Sequence, residues 1–190
     1  MRVAENLKLT KLSYDRPGGV YGAVMLSDVA ELFGDGLTAP ASDRRLTRRL
    51  VDAWARSARG QFPSWQAMQE SGLGDDWNWV FAIDLDKSVG FPYFIYLGHC
   101  LAKLSDVHLS GEADWTLTLL DKAIADMYAA VASEAPHFRD DTLTLCDGRR
   151  LLFRSVTAPL AEDGATITHV IGAASGRLAV DVEPGLRLVE

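Results

Sequence analysis

His99 and Cys100 stand side by side at the end of the aromatic run FPYFIYLGHCLAKL. In a chain with four His and two Cys, they are the first place to look for nucleophilic or metal chemistry. A thiol served by an imidazole needs heavy atoms about 2.6–3.2 Å apart, and a zinc site needs clustered Cys and His at short spacing. The run Pro92 to Leu101 reads as a β-strand, so the two side chains point to opposite faces and cannot serve each other. Cys100 reads as a core thiol, and His99 as a surface residue or the rim of a pocket. Catalysis would need His99 or His169 to meet Asp84, Asp86, Glu112 or Asp114 inside one pocket. No spacing in the sequence enforces that meeting.

A second anomaly is basic. SDRRLTRRLVDAWARSARG carries Arg44, Arg45, Arg48, Arg49, Arg56 and Arg59. Leu46, Leu50 and Trp54 recur every four residues, so the segment is a helix with one apolar stripe. The arginines are then either a solvated face or a site for phosphate or carboxylate, led by Arg44, Arg45, Arg48 and Arg49. The Arg-x-x-x-Arg spacing suits a cyclic dinucleotide, but DKSVG at Asp86–Gly90 is one residue short of the Asp-x-Ser-x-x-Gly partner motif. The Leu46–Leu50–Trp54 stripe is expected to pack on the outer face of a sheet or against a second copy.

The elements that position these residues alternate between two periodicities. Gly60 and Pro63 stop the Arg-rich helix, and PSWQAMQESGL is a short second helix. DWNWVFAID, Asp76 to Asp84, places Trp77, Trp79, Phe81 and Ile83 on one strand face. A short DKSVG turn makes a hairpin with the His99 strand. Trp115 to Pro136 reads as one helix with Leu119, Ala123, Met127 and Val131 in line. Three strands follow, Asp141–Cys146, Arg149–Leu160 and Ala165–Ser175, separated by DG and EDG turns. Strands and helices in separate runs predict α+β with an antiparallel sheet. Residues 1–40 form an N-terminal extension and 41–176 the domain. Residues 177–190 form a polar tail.

The 190 residues carry a net charge of −7, 48% hydrophobic residues and 24% charged ones. An ordinary core is within reach without disulfide or metal support. The acidic balance argues against nucleic acid as a partner. The absence of a long apolar run argues against a membrane span. The N-terminal stretch MRVAENLKLTKL lacks the apolar core of a signal peptide, and two cysteines form no framework. The expected setting is a reducing cytoplasm.

Two strands, several helices and three strands are the element order of PAS domains. WARSARGQFPSW, Trp54 to Trp65, resembles the Trp-x-x-x-Arg-Gly-x-x-Pro segment of a group of small stand-alone bacterial PAS-like proteins. LGHCLAKL followed by LSG is similar to that group's second strand and turn. RSVTAPLAEDGATITHVIGAAS, Arg154 to Ser175, resembles the final PAS hairpin. The resemblance covers residues 43–176.

What the resemblance implies is a five-stranded antiparallel sheet with helices on one face, plus an N-terminal helix. It also implies a sensory or signalling module that is not an enzyme and binds a small ligand, a regulatory protein such as a histidine kinase, or both. PAS domains hold ligands between sheet and helices, contact partners through the outer sheet face, and often form homodimers. A pocket or its rim would then draw on Tyr96, His99, Met127, Phe153 and His169. The flavin motif of such domains has no counterpart here. Haem is disfavoured, because residues 115–135 hold no His, although His108 and His137 flank them. The alternatives are a small α+β hydrolase or isomerase with an open pocket, and a ligand-free structural adaptor.

Overall fold

The structure, a computed structural model, describes residues 43–110 and 117–179. The extension over 1–40, Glu112, Asp114 and the tail from 180 onward lie outside the described residues. So do the side chains of Arg44 and Arg45.

Helix α1, Asp43–Ser57, forms where the four-residue stripe predicts it, burying Leu46, Leu50 and Ala53. Helix α2, Trp65–Gln69, begins at Ser64, whose Oγ accepts from the Ala67 amide at 3.1 Å, a standard N-cap. A 3-10 turn over Gly74–Trp79 leads into β1, Val80–Asp84, which pairs with β2, Tyr93–Leu97. Helix α3, His99–Ala102, and a 3-10 turn, Lys103–Asp106, follow. Helices α4, Leu119–Ile124, and α5, Met127–Ser133, precede β3, His137–Thr144, β4, Arg150–Leu160, and β5, His169–Leu178.

The five strands form one sheet in the order β2-β1-β5-β4-β3, every described pairing antiparallel. The protein is thus α+β with an open antiparallel sheet. Both sheet faces are covered, because alternate residues of a strand serve opposite faces. Phe81, Ile83, Phe153, Val170 and Ala174 meet Leu101, Leu104, Leu119, Ala123 and Met127 on the inner face. Val80, Val156, Ala158, Leu160, Ile171 and Ala173 meet Leu46, Leu50 and Ala53 of α1 on the outer face.

Several element limits differ from the sequence expectation. Trp77 and Trp79 lie in the 3-10 turn and not in the strand, because Trp77 folds against Trp65 and Tyr96 on the outer face. The His99 strand stops at Leu97. Gly98 donates to the Val80 carbonyl at 2.8 Å, and its own carbonyl accepts from Ala102, opening α3. His99 and Cys100 therefore lie in the first turn of a helix, where neighbouring side chains stand about 100° apart and not on opposite faces of a strand as expected. A Cβ on Gly98 would stand 2.3 Å from the Trp77 carbonyl oxygen, so only glycine fits this close approach.

The expected long helix breaks between Ile124 and Met127, where the Asp126 carboxylate turns to Arg139. β3 starts at His137, four residues before its expected start, because His137 to Thr144 pair without interruption with β4. β5 begins at His169 because Asp163 ties the turn by accepting from the amides of Ala165 and Thr166. It then runs through Arg177 and Leu178, residues expected to lie in the tail.

Candidate functional site

Two segments far apart in the chain, Trp54–Trp65 and Arg154–Ser175, meet at the outer face. Trp54 Nε1 donates to the Pro159 carbonyl at 2.7 Å. The amides of Gln61 and Phe62 donate to the Gly164 carbonyl at 2.9 and 3.2 Å, and Ala161 N–H donates to the Pro63 carbonyl at 3.0 Å. Glu162 Oε1 accepts from the Trp65 amide at 3.0 Å. Backbone groups that are neither helical nor in the sheet ladder must find partners such as these. Alongside lies an open cleft of about 330 Å³ lined by Arg59, Gly60, Phe62, Gln66, Glu162 and Asp163, among others. Two turn amides hold the Asp163 carboxyl at about 2, so it is charged at neutral pH.

The arginines of α1 divide. Arg49 grips Asp76 through both of its ends at 2.5 Å, tying α1 to the turn before β1. Arg48 pairs with Asp52 at 3.1 Å, one turn on, with both side chains exposed. Leu46 and Leu50 pack on this chain's own β4 and β5. The expected stripe is therefore used for outer-sheet packing.

At the far end of the outer face, Asp84 and His169 are cross-strand partners on β1 and β5. The Asp84 side chain is only 8% exposed, with Lys87 Nζ at 2.8 Å and His169 Nε2 at 3.7 Å from its Oδ2. Lys87 N–H donates to the other oxygen at 3.0 Å. Lys87, its ammonium first, holds the Asp84 carboxyl below the usual carboxylate range against the opposing effect of burial. A carboxylate held charged in this way is a poor proton acceptor, and 3.7 Å is beyond hydrogen-bond reach of the imidazole. The cluster clamps the β1–β2 turn, with Lys87 also over the Tyr93 ring at 5.2 Å.

The other expected pocket residues do not converge. Met127 and Phe153 are buried in the inner core, whereas Tyr96 lies on the outer face, its ring 5.2 Å from Trp77 and 6.0 Å from Trp65. His99 is exposed on α3. None of these residues lines the cleft beside α2. Among the described residues, no three His, Cys, Asp or Glu side chains converge as a metal-binding group. No described helix is long and apolar enough to cross a membrane.

Sequence reasoning missed one polar group. Asp126, buried at the start of α5, takes both ends of the Arg139 guanidinium, with Asp141 and His137 close by. The available signal was the alternation of HFRDDTLT, which puts His137, Arg139 and Asp141 on one strand face. Comparison with models of known protein families and with curated proteins finds no match.

Proposed function

We propose that the chain is a non-catalytic signalling module of PAS-like type, acting in the bacterial cytoplasm. In this reading it binds a small ligand, a regulatory protein such as a histidine kinase, or both. The observation that carries the reading is the docking of two segments. Trp54–Trp65 and Arg154–Ser175, singled out separately for their resemblance to PAS sequences, lie against each other through Trp54–Pro159, Phe62–Gly164 and Ala161–Pro63. The order of elements and the helices on the inner face agree with it. The inner space is filled by Phe81, Leu101, Leu119, Met127 and Phe153, which favours partner contact over a bulky retained cofactor.

Native mass spectrometry with an absorption spectrum tests this reading. A retained small molecule, or a dimer that binds a regulator, supports it. A colourless monomer that binds neither ligand nor regulator overturns it.

A further inference from the structure

Helix α1 packs on the outer face over β5 and the C-terminal half of β4, and among the described residues no element lies over the strip at the β3 side. Strand alternation and register fix what this strip carries. Arg150, Leu152 and Arg154 share the side of β4 that bears Val156 and Ala158. Leu152 is paired with Thr142 on β3 and with Arg177 on β5. Phe138, paired with Val156, belongs to the same side and is 51% exposed. Half-buried Leu152 is thus bracketed by three arginines. Arg150 and Arg154 lie two positions away along its own strand, and Arg177 lies directly across. Residues directly across have Cβ atoms about 4.5–5.5 Å apart, and Arg177 is the diagonal neighbour of Arg150 and Arg154, about 7–8 Å away.

Arg150 and Arg177 are exposed and have no carboxylate partner among the described residues. Among the described residues Arg154 pairs with Asp140, at 2.7 Å, and that aspartate side chain is 70% exposed. Such a basic strip is out of character for a chain of net charge −7.

We propose that this strip docks an acidic segment of another protein, one with carboxylates flanking an apolar residue. The apolar residue would cover Leu152 and Phe138, while the carboxylates take the forks of Arg150 and Arg177. Asp140 occupies the third fork until a ligand carboxylate displaces it. A second copy placed face to face would set arginine against arginine, so an isologous contact here is opposed by like charge. Nucleic acid would meet a net repulsive protein and would leave the apolar centre unused.

The inference rests on the partner-binding reading above and names the chemistry of the partner. The test uses the full chain and a labelled peptide of about ten residues with Glu on both sides of a central Leu, followed by fluorescence anisotropy. Binding should weaken as ionic strength rises from about 0.05 to 0.5 M. It should fall about tenfold or more in Arg150→Glu/Arg177→Glu and rise about threefold in Asp140→Asn. All three positions are exposed, so the variants should keep the wild-type circular dichroism. Equal affinity for wild type and the double variant overturns the site while leaving the signalling reading intact. An oligonucleotide that binds more tightly with the same arginine dependence overturns it in favour of nucleic acid. Increased hydrogen exchange of residues 1–42 or 180–190 in the double variant overturns it in favour of the chain's own ends.

Discussion

Trp54 donates its indole N–H to the Pro159 carbonyl at 2.7 Å, a contact between residues 105 positions apart. It joins the C-terminal half of α1 to the end of β4, so the leading helix and the final hairpin are one packing unit. Trp54→Phe keeps most of the apolar contact but leaves a part-buried carbonyl unpaired. The expected loss is about 1–2 kcal/mol in urea denaturation. Trp54→Ala should cost more, about 3 kcal/mol or above. Equal stability of wild type and Trp54→Phe would show that the bond contributes nothing.

Gly172, in the middle of β5, leaves room for the Phe81 ring. A Cβ there would lie 2.2 Å from Phe81 Cζ and 2.7 Å from the Val156 carbonyl oxygen. Gly172→Ala should destabilise the fold by about 2–3 kcal/mol. In a Phe81→Leu background Gly172→Ala should cost less than in wild type, though not nothing, because the ring clash is removed and the clash with the Val156 carbonyl stays. A double-mutant cycle by denaturation measures the coupling, and strict additivity would refute the contact.

Arg139 and Asp126 link β3 to the start of α5, and the Arg139 hydrogen bonds, as the main cause, hold the Asp126 carboxyl below its usual range. A carboxylate whose pKa is lower folded than unfolded stabilises above the unfolded value, about 3.9, and loses that stabilisation as pH falls through the folded value. Arg139→Gln should therefore cost about 2 kcal/mol at neutral pH, a figure reduced for the partial exposure of Arg139. The gap to wild type should narrow below about pH 4. A gap that is constant from pH 7 to about pH 2.5 would assign the loss to packing instead.

Cys146 is exposed in the β3–β4 turn, and Cys100 is half-buried in α3. Reaction with a disulfide reagent depends on access. One thiol should therefore react quickly and one slowly under native conditions, and Cys146→Ser should remove the fast phase. Two equal rates, or a fast phase surviving in Cys146→Ser, would contradict this ordering.

Local features of the chain were legible wherever one residue type has one backbone consequence. The four-residue stripe of α1 and the DG and EDG turns stand where the sequence puts them, while α1 ends at Ser57, three residues before the expected stop at Gly60. The α+β class followed from the run of elements. His99 and Cys100 were misplaced because an apolar run bears no mark of where its strand ends. That limit is set by Gly98, pressed against a turn about twenty residues earlier in the chain. The long middle helix was read as continuous because its break serves Arg139, a residue beyond the helix itself.

The sequence by itself determined the amphipathic helix, the hairpins and the class, since these depend on periodicity and turn chemistry within a few residues. Only the tertiary structure decided which polar groups meet. His169 reached Asp84, Arg139 reached Asp126, and Arg177 came to lie beside Arg150 and Arg154, each through strand register or helix packing. Register is a property of paired strands, and a shift of one residue would send the strand residues among these to the opposite face.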